Sequence, residues 1–301
     1  MPTSTIVITG TRTSDPLTTR TYSISGAEGP VLSHVAGTYA CAISPIDKSI
    51  VIAGLFLSID TRKFAYSGNN TWSLQWSRTH GATVWAVAID PNDNSIVTGG
   101  NLVDGFTTRK YAANGDLLWS RNHGASTVDV AIDPNNGSIV VVGITGGDPQ
   151  AQARKYAANG DPLWIIDRGT FSLTSVAIDS SDGEVVVSGL GPDSMVDDNI
   201  QRYSSDGNFL SGFYMAQPSQ SYSANSMVID SRNKSIIFVT EPRGLEVYGS
   251  NNQRQWGVNP SNTQYGVSLY TGEDYAMPTP TAPQTVAVGG NRALVSWDWT
   301  A

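Results

Sequence analysis

VAIDPNDNSIVTGG (Val87–Gly100), VAIDPNNGSIVVVG (Val130–Gly143) and VAIDSSDGEVVVSG (Val176–Gly189) are three copies of one stretch. Weaker copies are CAISPIDKSIVIAG (Cys41–Gly54) and MVIDSRNKSIIFVT (Met227–Thr240). The Asp that follows Ile stands at 90, 133, 179 and 230, in steps of 43, 46 and 51, and Ser44 takes its place 46 residues before Asp90. Self-similarity at such a period marks one supersecondary unit used repeatedly.

A second segment follows each copy after a variable loop: TRKFAYSGNNTWSLQW (61–76), TRKYAANGDLLW (108–119), ARKYAANGDPLW (153–164), QRYSSDGNFL (201–210) and EVYGSNNQRQW (246–256). Each unit therefore reads as four short strands. The first, such as Val84–Ile89 (VWAVAI), is apolar on both faces, as a strand buried between neighbours should be. An Asp-rich turn leads into a Val/Ile strand ending at Gly, and the third strand carries Arg-Lys-Tyr. Asn114-Gly115, Asn159-Gly160 and Asp206-Gly207 are expected to form type I′ hairpin turns into the fourth strand. No unit has helical periodicity.

Four antiparallel strands in about 40–45 residues is the arithmetic of a β-propeller blade. The N-terminus holds IVITG (Ile6–Gly10) and TRTYSISG (Thr19–Gly26) without a leading strand, and Tyr265–Tyr270 (YGVSLY) looks like that leading strand alone. The expectation is an all-β propeller of six blades, closed by N- and C-terminal strands that share one blade. Seven blades is the alternative, if Gln284–Trp299 adds strands. Residues 1–274 would form the ring and residues 275–301 a Pro-rich linker with a short β tail.

The pairing of V-A-x-D-x-x-x-N/G with K-Y-x-x-N-G-x-L-L-W resembles the bacterial β-propeller repeat of the SBBP type, and NGDLLW is similar to the Trp-docking repeat of quinoprotein-like propellers. The resemblance spans roughly residues 5–270 and implies architecture; propellers host enzymes, lectins and scaffolds alike. The tail PTAPQTVAVGGNRALVSWDW resembles the first two strands of a fibronectin type III module. Two strands cannot make that sandwich alone, so the tail is expected to dock on the propeller or on a partner. Pro278, Pro280 and Pro283 read as an extended linker.

Composition excludes several classes. Of 301 residues, only 15% are charged, and 18 basic against 26 acidic residues leave −8. That balance argues against nucleic acid as a partner, which needs positive potential. No run of 18 apolar residues exists, so no membrane insertion is expected. Met1–Gly10 lacks a basic n-region and a long apolar h-region, so no secretory signal is read there, and the sequons at Asn69, Asn136 and Asn233 are expected to be silent. Cys41 has no Cys partner and is assigned to core packing.

Repetition identifies architecture. Trp76, Trp119, Trp164 and Trp256 share a column on the fourth strand and should fill the wedge between blades, with Leu32 and Ser211 in that column elsewhere. Arg20, Arg62, Arg109 and Arg154 form a second column, each on the strand face of the aromatic two residues on, suited to stacking or to pairing with a turn carboxylate. Asp and Asn of the first turn should bond their own backbone.

Binding residues should lie on the variable rim. His34, His80, His123 and Arg168 follow successive fourth strands, on the face where the second-to-third loops open. Those loops differ in every unit and carry Asp60, Asp104, Asp148 and Asp197, beside Asp15, Asp193, Asp198 and Glu241. Variable loops on a rigid scaffold are where recognition lives. Zinc needs ligands about 2.0–2.1 Å from one ion, whereas equivalent residues of adjacent blades stand about 10 Å apart, so no metal is expected. No catalytic motif is present, and neither an enzyme nor a cofactor is expected.

The leading expectation is a non-catalytic structural or interaction module in a larger assembly, partnered by other chains or copies of itself. The Ser/Thr/Asn-rich, Lys-poor composition resembles phage virion proteins of tail or capsid, which places it in the virion. The alternatives are a lectin-like propeller binding cell-surface glycan, extracellular or at the cell surface, and a hydrolase or lyase at the central opening.

Overall fold

A computed structural model describes residues 5–8, 18–23, 28–33, 37–55, 61–68, 71–79, 83–101, 107–122, 125–145, 152–167, 172–190, 200–213, 224–240, 244–258, 283–286 and 294–297. It opens with a three-stranded sheet of β1 (Thr5–Ile8), β2 (Thr18–Ser23) and β3 (Glu28–Ser33). Five four-stranded antiparallel sheets follow, each in simple meander order. They are β4 (Gly37–Ile43), β5 (Ile50–Leu55), β6 (Thr61–Gly68), β7 (Thr71–Arg78); then β8 (Val84–Ile89), β9 (Ile96–Gly100), β10 (Thr108–Tyr111), β11 (Leu117–Arg121). Next come β12 (Ala125–Ile132), β13 (Ile139–Thr145), β14 (Gln152–Tyr156), β15 (Pro162–Asp167), and β16 (Ser172–Ile178), β17 (Val185–Leu190), β18 (Ile200–Tyr203), β19 (Phe209–Phe213). The last is β20 (Ala224–Asp230), β21 (Ser235–Thr240), β22 (Gly244–Tyr248), β23 (Arg254–Val258). The first strands β4, β8, β12, β16 and β20 pack against one another in that order, as the inner strands of successive blades do.

β24 (Pro283–Val286) and β25 (Leu294–Trp297) pair as a separate hairpin, so Pro283 begins a strand instead of continuing the expected linker. Tyr265–Tyr270, assigned to ring closure, lies outside the described residues.

The core lies between blades, because each β-sheet is hydrophobic on two faces and must cover both. Ala86, Val97, Trp119, Val130, Ile139 and Tyr156, from two successive blades, form one such cluster. Each indole also donates into the next blade: Trp76 Nε1 to Ala113 O at 3.0 Å, Trp119 to Ala158 O at 3.1 Å and Trp164 to Ser205 O at 3.0 Å. The third-strand ammonium groups of Lys63, Lys110 and Lys155 donate to the same three carbonyls. Arg78 and Arg121 lie over the Trp76 and Trp119 rings and donate to Gly115 O at 2.7 Å and Gly160 O at 2.8 Å. Arg154, of the Arg20–Arg154 column, donates to Gln152 Oε1 and to the Tyr156 hydroxyl.

The Asn-Gly turns depart from the expected type I′. Only the glycine has positive φ, +88° at Gly115 and Gly160 and +84° at Gly207. Gly115 N donates to Ala112 O while Ala112 N donates to Asp116 O. This is a type I turn closed by a glycine bulge, and the ladder slips between Lys110 and Tyr111 to admit it. Glycine is required twice over, because a Cβ on Gly160 would stand 2.8 Å from the Trp119 ring.

The first turns behave as expected. Asp90, Asp133, Asp179 and Asp230 accept from the backbone N–H two residues on, at 2.8–3.1 Å. The residue closing each turn is left-handed: Lys48, Asn94, Gly137, Gly183 and Lys234. A non-glycine residue there carries strain of about 1–2 kcal/mol. Lys48→Gly should therefore raise the urea midpoint by about 0.5–1 kcal/mol of stability. Gly160→Ala should lower stability by about 2 kcal/mol or more, since it adds left-handed strain to overlap with Trp119.

Candidate functional site

His34, His80, His123, Arg168, Asp60, Asp104, Asp148 and Asp197, the expected rim residues, all lie outside the described residues. The strands beside them fix where they attach: β3, β7, β11 and β15 end immediately or shortly before His34, His80, His123 and Arg168, and β6 begins just after Asp60.

The described residues bring together a different constellation, at the same end of the blades. Every inner strand contains a β-bulge near its start. The ladder skips one residue between Thr38 and Ala40, Val84 and Ala86, Thr127 and Asp129, Leu173 and Ser175, and Ala224 and Ser226. The extra residues are Tyr39, Trp85, Val128, Thr174 and Asn225, each five positions before the turn Asp or its Ser44 equivalent. A bulge strengthens local twist and re-aims a side chain.

Glycine makes room for it. A Cβ on Gly100 would come within 2.2 Å of Thr83 O, on Gly143 within 1.9 Å of Ser126 O and on Gly189 within 2.6 Å of Ser172 O. In these three units the Gly near the end of the second strand is thus a close-approach residue serving the bulge, whereas the last unit carries Thr240 there.

The column is not uniform in chemistry. Tyr39 and Trp85, on neighbouring inner strands, have ring centroids 4.8 Å apart and planes inclined at 52°. Trp85 is 38% exposed, whereas Trp76 and Trp119 of the structural column are 8% exposed. Val128 and Thr174 are half-buried, and the Thr174 hydroxyl lies 3.1 Å from Ser188 Oγ. Beside the bulge, Asp129 accepts from Ser175 Oγ at 2.8 Å and Val176 N at 3.0 Å, so this inner-strand carboxylate ties two blades together. The inner strands are consequently not buried throughout, and half-buried Cys41 packs against the Leu32, Ile50, Ile52 and Phe64 cluster.

The opposite end is uniform. Asn92 donates to Pro134 O and Asn135 to Ser180 O, each at 2.6 Å, and Ser180 N donates to Ser231 Oγ at 3.0 Å. A hollow of about 530 Å³ beside these turns is walled by repeat residues such as Ala131, Ile132, Ile178 and Ile229. The Lys234 ammonium holds the Asp182 carboxyl below the usual carboxylate range and is itself raised by it. Burial alone would raise Asp230, but the Arg232 guanidinium and backbone N–H keep it low. Among the described residues, no group of three His, Cys, Asp or Glu is arranged to hold a metal ion. No helix among them is long and apolar enough to cross a membrane.

No family model matches the sequence, and no curated protein matches it at a significant level. The fold does match solved structures. Hydrazine Synthase of Kuenenia stuttgartiensis superposes with a TM-score of 0.67 at 10% identity, over 78% of this chain and 71% of that one. At that identity the likeness is one of fold. The chain is an all-β propeller of four-stranded antiparallel blades.

Two outcomes follow for stability. Trp119→Ala should cost about 3–5 kcal/mol in urea unfolding, whereas Trp85→Ala should cost less, about 1 kcal/mol, because 38% of its surface stays in water. Asp182 and Asp230 are depressed when folded, so the unfolded chain takes up protons at higher pH. Stability should hold above about pH 5 and fall as pH drops below the ordinary carboxylate value of 3.8, read as a falling urea midpoint.

Proposed function

We propose that this chain is a non-catalytic interaction propeller built into a larger protein assembly, with other chains or further copies covering its outer perimeter. The observation that carries this reading is the outer strands. Leu74 on β7, Leu117 and Leu118 on β11, Leu163 and Ile165 on β15, and Phe209 and Leu210 on β19 are each more than half exposed. Single exposed apolar residues are ordinary, but a band recurring on four successive blades is the kind of surface that partners cover. These strands are also the edges of their sheets, where unpaired backbone N–H and C=O groups template further pairing.

A non-catalytic role is supported by the structural engagement of three carboxylates, two buried and one half-buried. Asp90 and Asp133 hold turns, and Asp129 bridges blades. The setting proposed is a phage virion, tail or capsid-associated, and the Ser/Thr/Asn-rich, Lys-poor composition supports it. A six-bladed ring closed by Tyr265–Tyr270 is the proposed architecture, supported by the β1–β3 sheet having three strands among the described residues where the other sheets of the ring have four.

Sedimentation velocity at micromolar concentration tests the perimeter. The wild-type chain should sediment as more than one copy or bind purified particles. Combined Leu118→Asp, Leu163→Asp and Phe209→Asp should weaken that association at least 100-fold while moving the thermal midpoint by no more than a few degrees. A chain that stays monomeric and binds no particle would sink the proposal.

A further inference from the structure

We propose that the Tyr39–Trp85 pair is a binding site for an uncharged saccharide at the inner edge of the ring. This takes the interaction reading a step further by naming a ligand class for a surface separate from the outer perimeter.

The argument begins with the bulge. It is repeated in five blades, so it belongs to the architecture, yet the residue it presents changes from Tyr39 and Trp85 to Val128, Thr174 and Asn225. Residues two positions further on, Cys41, Val87, Val130, Val176 and Met227, remain small or medium apolar groups throughout. A changing side chain presented by a repeated backbone device is what a site grafted on a repeat requires.

The chemistry of the pair selects among ligands. The two rings, inclined at 52° with centroids 4.8 Å apart, open as a shallow V across two blades. Trp85 leaves 38% of its surface in water, whereas Trp72, paired edge to face with Tyr66 on the outer hairpin of the preceding blade, is less exposed. A sugar ring has an apolar C–H face that stacks on an aromatic and hydroxyls that need polar partners. The Tyr39 hydroxyl, both donor and acceptor, is a polar partner of that kind on the pair itself. A net charge of −8 disfavours phosphorylated, sulfated or uronic ligands. An amphipathic aromatic with one face dry and one edge wet also costs little conformational entropy to use.

Isothermal titration of the full chain with cellohexaose, maltohexaose, mannohexaose and N-acetylchitohexaose, beside a printed array of neutral glycans, provides the test. At least one should bind saturably and shield an indole from acrylamide quenching. Trp85→Ala and Tyr39→Ala should each weaken that binding at least tenfold with an unchanged thermal midpoint, and Trp85→Phe should recover part of it. If Trp85→Ala does not fold, Trp85→Phe and acrylamide shielding in the wild type decide the matter. No binding to any neutral glycan overturns the proposal, as does binding that both substitutions leave intact. Exclusive binding of a proline-rich or trimethyllysine peptide would assign the pair to a peptide and also overturn it. Sedimentation of the Trp85→Ala chain should match the wild type, so failure here leaves the perimeter reading standing on its own test.

Discussion

The indole N–H of one blade, donated to a hairpin carbonyl of the next over a glycine that leaves room for the ring, is the contact on which the remaining architecture depends. It joins blades that share no backbone ladder. Area burial alone would permit neighbouring blades to slide, whereas a directed hydrogen bond to a single carbonyl sets their register. The buried lysines reinforce the choice. A nearly buried ammonium is costly unless it is hydrogen-bonded, and Lys63, Lys110 and Lys155 meet that cost at the same carbonyls.

The interface of β19 with the last sheet departs from this device and shows how tightly its parts are coupled. Ser211 replaces the tryptophan on β19, and Asn252 replaces the glycine of the next hairpin. Asn252 remains left-handed at φ 61°, and its amide donates to Ser211 Oγ at 3.1 Å. Arg202, standing where β6, β10 and β14 have lysine, donates from Nε to the side-chain Oδ1 of Asn252 at 3.0 Å. Three positions on two blades have changed together, and a polar contact now occupies the space the indole would fill. With no large ring pressing on it, the turn accepts a side chain where Gly160 could not.

Strand count, strand order and the inter-blade role of the tryptophans were legible in the sequence because each is written in every repeat. Turn type was not: Asn-Gly serves type I′ and the type I turn with a glycine bulge equally. The difference lies in whether Tyr111 pairs with Leu117 or one residue nearer, a matter of register that the dipeptide does not encode. The inner bulge was hidden for a related reason. VWAVAI reads as a continuous apolar run, and Trp85 in it looks like one more core residue. The available signal was the glycine that ends the second strand, whose meaning as a close approach emerges only when Thr83 O is placed 2.2 Å from its would-be Cβ. A second signal was the column itself, since Tyr, Trp, Val, Thr and Asn share no packing role. The histidine and aspartate rim lies outside the described residues, and the repeat gives only the strand ends to which it attaches.

The two ends and the two edges of a blade thus carry different constraints. At the turn end, side chains are committed to backbone partners within and between blades, so a substitution there disturbs the ring itself. At the bulge end, the backbone carries the architecture through glycine, which leaves the presented side chain free to vary without loosening the inter-blade contacts. The outer edge is apolar but lies across each sheet from the inner one, separated by two paired strands. Covering the perimeter with other chains would therefore leave Tyr39 and Trp85 open. A ring of this kind can be held at its circumference while it binds at its inner edge, and the two surfaces can change independently because different strands of the same blade supply them.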